Sequence, residues 1–234
     1  MTCAGGSFMH PFLTGNALKP IAALSMTIDH AGLLLFPQYP VLRILGRLAF
    51  PIFAFMIAEG CKYTHSRSRY FGNIFALAVL CQIVYYLADG SLYLSILFTF
   101  SLSILTIFAL QDFRREPTPL RGAVFLLTIA AVFILNRVFS IDYGFWGCMV
   151  PVFAALPQNT KWDTTVFSTL LLGIGLVLLG LAFGGRQMFA LAAIPLLLCY
   201  NGKRGKWNMK SFFYIFYPAH LVILQLIAWL VSQN

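Results

Sequence analysis

The sequence predicts an all-α polytopic membrane protein, a helical bundle of about nine transmembrane helices forming one domain over residues 1–234. Three observations carry this reading. Hydrophobic residues make up 60% of the 234 residues and charged ones only 10%, whereas soluble domains carry roughly a quarter. The mean hydropathy is +0.83. Apolar runs of bilayer-crossing length, about 20 residues each, recur along the whole chain. The runs are continuous rather than alternating, which favours helices over a β-barrel, and a soluble enzyme is excluded.

The first run covers roughly 18–36 and is closed by Pro37 and Pro40. Met1 to Lys19 lacks the charged start and small-residue cleavage site of a signal peptide, so this span is expected to be retained. The second, 42–62, holds Pro51 and ends at Lys62. The third and fourth, 70–88 and 92–110, follow with a basic connection after the latter. The fifth, 121–138, begins just beyond Pro117 and Pro119. The sixth, 143–157, and the eighth, 186–200, are short for a span, while the seventh, 165–183, is not. The ninth, 212–231, completes the chain.

The net charge of +9 is a matter of topology rather than nucleic-acid binding. Lys19 and the connections after spans two, four, six and eight hold twelve basic residues; the opposite face holds Arg43, Arg47, Arg137 and Arg186. The positive-inside rule places the N-terminus and the basic loops in the cytoplasm of a cell-membrane protein. The same loops are also suited to anionic lipid or an anionic cofactor. Five scattered cysteines, Cys3, Cys61, Cys81, Cys148 and Cys199, show no metal or redox spacing and read as packing residues. No metal site is expected.

Ionisable groups inside spans cost roughly 2.5–3.5 kcal/mol at mid-bilayer and mark functional sites. Asp29 and His30 lie deep in span one, His30 about 16 Å along the helix from Lys19. As adjacent helical residues they point about 100° apart and need not touch, but can address two sides of one cavity. His220 lies at a similar depth in the last span. It either faces the same cavity or is bonded to a neighbouring carbonyl near Pro218. Arg47 keeps its charge at any depth and needs an anion, Asp29 or a substrate oxyanion; Arg43, one turn earlier, can also snorkel. Glu59 stands near the cytoplasmic end, either solvated or at a cofactor mouth with Lys62 and His65. Asp142 reads as a helix N-cap, and Tyr143-Gly144 as the shaping of an outer entrance. A histidine with a carboxylate and an arginine suits acyl transfer. Asp29 and His30 suit equally a proton relay in a transporter.

Read as segments, LKPIAALSMTIDHAGLLLF followed by LGRLAFPIFAFMIAEG resembles the opening of the TraX family, the conjugative-pilin acetylases. CQIVYYLADG, the DYG-FWG stretch from Asp142, the NGKRG loop from Asn201 and FFYIFYPAHL extend the likeness over most of the chain. Parts are also similar to the wider superfamily of transmembrane acyltransferases. Lys19 and His30 have its basic-x10-His spacing, with Lys in place of the usual Arg, and Arg47 to Phe53 has its R-x-x-x-P-x-F pattern.

This resemblance implies an acetyltransferase moving an acetyl group from cytoplasmic acetyl-CoA to an amine, such as a peptide or pilin N-terminus, or to a hydroxyl, as on a glycan. It implies His30 as catalytic base or acyl relay, and an oxyanion or cofactor role for Arg47. Asp29 and His220 belong to the narrower family pattern. Lys19 is implied in CoA contact; from the charge of the basic face, Lys62, Arg67, Lys203 and Arg204 are expected near its phosphates, with Glu59 at the mouth. Tyr143 and Tyr217 are placed on the acceptor side. The alternatives are a proton-coupled transporter using Asp29-His30 and a scaffold in a secretion or conjugation assembly.

Overall fold

A computed structural model describes residues 11–206 and 210–233; Cys3 lies outside them. Among the described residues the regular structure is entirely helical. In chain order the helices are α1 (Gly15–Leu34), α2 (Pro40–Gly46), α3 (Ala49–Tyr63), α4 (Arg67–Asp89), α5 (Ile96–Arg115), α6 (Pro119–Val138), α7 (Gly144–Ala155), α8 (Thr165–Phe183), a 3-10 helix (Gly185–Ala193), α9 (Ile194–Leu198) and α10 (Lys210–Ser232).

Each of the apolar runs read from the sequence falls on helical structure, and two of them, 42–62 and 186–200, fall on two consecutive elements. Among the described residues six segments are long and apolar enough to cross a membrane: Pro40–Tyr63, Arg67–Leu87, Ile96–Arg115, Pro119–Val138, Thr165–Phe183 and Phe213–Val231. The figure of about nine is therefore not confirmed. α7 has 12 residues, about 18 Å at the helical rise, against a hydrocarbon core of about 30 Å. The 3-10 helix and α9 are shorter still than a span. α1 has 20 residues but is not among the six; it carries Asn16, Lys19, Asp29 and His30.

Local signals set the helix starts. Thr14, Thr118 and Thr164 each accept a hydrogen bond from the third backbone N–H of α1, α6 and α8, satisfying a donor that a helix start leaves open. Pro51 explains the break between α2 and α3. A proline has no N–H to offer the carbonyl four residues back, and its ring crowds that carbonyl. The helix is interrupted at Arg47 and Leu48, and the Arg47 N–H bonds Ile44 O at 3.1 Å instead. The Arg43 carbonyl is satisfied by the Arg47 side chain, whose Nε donates at 3.0 Å.

The short α7 is the most enclosed helix, with Cys148, Val150, Ala154 and Ala155 nearly inaccessible; α3, α5 and α8 pack around it. α6 lies at the periphery with only Val132 buried. Its apolar side chains face outward, the inverse of a soluble bundle and the arrangement lipid requires. The described cysteines Cys61, Cys81, Cys148 and Cys199 are free and buried, as expected of packing residues.

Hydrogen bonds gather the connections at two ends of the bundle. At one end Gly15 N and Asn16 N donate to the carbonyls of Lys203 and Arg204, each at 2.9 Å, Lys62 pairs with Asp163, and Arg67 pairs with Asp112. The basic loops thus share one end, as their charge predicts. At the other end Leu94 and Ile141 form an isolated parallel bridge, and Arg47 reaches Tyr143 and Gln187.

Candidate functional site

The second end holds a cavity of about 390 Å³, lined among others by Asp29, His30, Arg43, Arg47, Tyr143 and Tyr217. This size suits a small ligand or the reacting end of a larger one.

Asp29 points to one side of α1. Its carboxylate accepts from Arg43 at 2.6 Å and from Arg47 at 2.8 Å. Arg43 also donates to the Asp29 carbonyl at 3.2 Å. The three side chains are 14%, 28% and 9% exposed for Asp29, Arg43 and Arg47. Arg43 therefore does not snorkel away. Two guanidiniums share one carboxylate, so the cluster carries a net positive charge at the cavity. It can form only because position 46 is glycine: a Cβ there would overlap the Asp29 carboxylate. Arg47 Nη1 continues to Tyr143 OH at 3.3 Å and Gln187 Oε1 at 3.2 Å.

His30 turns the other way. Its Nδ1 lies 2.8 Å from Nε2 of His220, and the rings are nearly parallel, 20° apart, with centroids separated by 5.0 Å. Nδ1 of His220 lies 3.0 Å from the Phe216 carbonyl. A carbonyl only accepts, so His220 Nδ1 carries a proton and donates. The neutral His220 then presents a lone pair on Nε2, and His30 Nδ1–H donates to it. His30 is left with an unprotonated Nε2. Both readings of His220 hold at once, since it bonds a carbonyl near Pro218 and touches His30.

Asp142 is not an N-cap. Tyr143 occupies that position of α7 with no side-chain capping bond and a positive φ of 59°, a conformation that costs a non-glycine residue of order 1–3 kcal/mol and clusters at functional sites. The Tyr143 ring is held by stacking on Phe50, centroids 4.3 Å apart. Asp142 lines the cavity and accepts from Tyr93 OH at 3.0 Å. Burial pushes its carboxyl up to about 6, against the Tyr93 hydrogen bond and the Arg47 charge. Burial and the Asp142 charge raise the Tyr93 phenol.

The residues proposed for the cofactor stand at the basic end, and none of them lines this cavity. Lys19 Nζ lies 5.9 Å from the Phe213 ring centroid. Glu59 accepts from Tyr200 OH at 3.2 Å. Lys62 bonds Asp163 at 2.7 Å, and Arg67 bonds Asp112 and Gln111. The side chains of Lys203 and Arg204 are exposed. Lys19 and His30 are joined by one seam, where α1 packs on α10: Phe213 meets Lys19, and Phe216 stacks on His220 with centroids 5.1 Å apart. Among the described residues no group of three or more His, Cys, Asp or Glu is placed to hold a metal.

Sequence reasoning missed Tyr93 and Gln187 and misread Asp142. The contact of Asp142 with Tyr93 spans 49 positions and that of Arg47 with Gln187 spans 140; no local pattern signals either. The polarity of Asp142 between two apolar helices was the available clue.

The family model described as TraX protein matches residues 14–228. The chain is 28% identical over 240 residues to the probable fimbrial assembly protein FimC, serogroup H1, of Dichelobacter nodosus, covering 88% of this chain and 92% of that protein. A 40-residue stretch is 53% identical to the uncharacterized protein RP591 of Rickettsia prowazekii (strain Madrid E), covering 17% of this chain and 16% of that one. No solved structure matches.

Proposed function

This chain belongs to the TraX family, and we propose that it is an integral-membrane acetyltransferase carrying an acetyl group from cytoplasmic acetyl-CoA to an amine or hydroxyl acceptor. The observation that carries the reading is the directed hydrogen-bond chain from His30 through His220 to the Phe216 carbonyl. It leaves His30 Nε2 as a base, on a residue that lines the cavity. Likeness to a probable fimbrial assembly protein supports a pilin or other surface peptide as acceptor. The excess of basic residues at one end supports an inner-membrane orientation with that end and the N-terminus in the cytoplasm.

The donor's phosphates are anionic, and Lys19, Lys62, Arg67, Lys203 and Arg204 at the basic end suit them; Lys62 is also ion-paired with Asp163 and Arg67 with Asp112. Its pantetheine arm has to cover the eleven residues from Lys19 to His30, about 16 Å of helix, along the α1–α10 seam. At the cavity His30 Nε2 takes the proton of the attacking nitrogen or oxygen and returns it to the departing sulfur. His220 is a positioning residue: its Nδ1–H is bound to a backbone carbonyl, so it orients His30 rather than passing a proton onward. Tyr143 OH accepts from Arg47 and is thereby free to donate its own proton toward an oxyanion. Arg47 then acts through Tyr143 and through the field of the cationic cluster.

The transporter reading is less well supported, because Asp29 is engaged by two guanidiniums at 2.6 and 2.8 Å and His220 ends at a carbonyl. The test is acetyl transfer by the purified full-length protein, using radiolabelled acetyl-CoA and a short peptide acceptor, beside calorimetric binding of acetyl-CoA. Transfer lost in His30→Ala with acetyl-CoA binding retained is the expected result. A folded protein that neither binds acetyl-CoA nor transfers acetyl would overturn the reading.

A further inference from the structure

Four charged side chains line the cavity. Three of them, Asp29, Arg43 and Arg47, neutralise one another in part. The fourth, Asp142, makes no ion pair among the described residues. Its carboxylate accepts from Tyr93 OH and from the Tyr143 backbone amide, which leaves acceptor positions unfilled. A carboxylate withdrawn from water without a directly bonded cation is costly, and the Arg47 charge reaches Asp142 only as a field. The same cavity is lined by Tyr85, Tyr93, Tyr143 and Tyr217, and aromatic side chains attract a cation.

The carboxylate is also held rigidly. Asp142 N donates to Leu94 O at 2.9 Å, and Thr99 Oγ1 donates to the Asp142 carbonyl at 2.6 Å. The strained Tyr143 follows immediately. A backbone fixed from both sides, with a strained neighbour, is what a binding position requires.

The geometry points to Asp142 as the specificity-determining residue of the acceptor subsite: its carboxylate, framed by the tyrosine rings, binds the acceptor as an ammonium ion and selects it over an isosteric hydroxyl. This deepens the acetyltransferase reading and rests on it. The balance is straightforward. The bound ammonium gives one proton to the Asp142 carboxylate that holds it, and the resulting amine attacks the thioester carbonyl carbon. A C–N bond forms, the C–S bond breaks, and the second proton passes through His30 to the departing sulfur.

The test is binding first and turnover second. The full-length protein is titrated calorimetrically with trialanine amide, which carries a free N-terminal ammonium, and with its lactyl counterpart, in which a hydroxyl replaces that group. The wild type is expected to bind the ammonium peptide at least 10-fold more tightly, and Asp142→Asn to lose that preference. In turnover, Asp142→Asn should raise KM for the amine peptide about 10-fold with a smaller change for the hydroxyl one. Equal affinity of the wild type for the two peptides, no binding of either, or a preference unchanged in Asp142→Asn overturns the subsite. A preference that depends on Asp142 without any acetyl transfer would overturn the acetyltransferase reading alone.

Discussion

Nδ1 of His30 and Nε2 of His220 stand 2.8 Å apart across 190 positions of sequence. Because the far side of His220 is bound to the Phe216 carbonyl, the pair has one proton arrangement when both rings are neutral. That arrangement leaves the His30 Nε2 lone pair unprotonated.

His30→Ala should lower kcat by about 10²–10⁴, the range of a lost general base. His220→Ala should lower it less, since His30 remains but its tautomer is no longer held, and His220→Gln should recover part of the loss through its amide oxygen. The double variant should be no slower than His30→Ala, because the two residues act as one unit. Steady-state kinetics with acetyl-CoA and a peptide acceptor measure this; additive losses would break the pair into independent roles.

Gly46 and Asp29 give a prediction about stability. A Cβ at position 46 overlaps the Asp29 carboxylate, so Gly46→Ala must push that carboxylate off Arg43 and Arg47. Overpacking of this kind costs about 1–3 kcal/mol, read as a lower Tm in detergent. Asp29→Ala should cost more, about 3–5 kcal/mol, because it strands two guanidiniums. A variant Gly46→Ala with unchanged Tm and activity would show that the cluster tolerates rearrangement.

The third prediction concerns pH. Asp142 faces Tyr93 OH, the Tyr143 amide and the fields of Arg47 and Asp29, and burial raises its carboxyl from 3.8 to about 6. The native state therefore binds the proton more tightly than the unfolded chain. Ionised Asp142 opposes folding: the penalty is absent below about pH 4, grows up to about pH 6 and is constant above it. Asp142→Asn should gain Tm relative to the wild type across that window and keep the gain at pH 7. A difference that is flat from pH 4 to 8 would contradict a raised carboxyl.

At the basic end, Lys203→Ala with Arg204→Ala should weaken acetyl-CoA binding about 5–10-fold while leaving the fold intact. The bonds that join this loop to α1 use the carbonyls of residues 203 and 204, which alanine retains. Calorimetry in low and high salt checks it: the wild type should lose affinity with salt more steeply than the double variant. Unchanged affinity would move the donor's phosphates away from this loop.

The sequence by itself determined the membrane class, the positions of the helical segments, the shared end of the basic loops and that Asp29, His30, Arg47 and His220 are ionisable groups set within apolar runs. These follow from composition, run length and the cost of an ionisable group in lipid, quantities that a linear chain displays. Its count of about nine spans is not confirmed, since an apolar run such as 143–157 reads alike whether it crosses lipid or lies inside protein. Only the packing of α3, α5 and α8 around α7 shows it enclosed. The tertiary structure alone decided which polar groups meet. The break imposed by Pro51, the bare position at Gly46, the His30–His220 contact and the entry of Asp142 into the cavity all depend on atoms brought together from remote helices. Hydrogen bonds and ion pairs form between neighbours within about 3 Å in space, and spacing along the chain does not encode that distance.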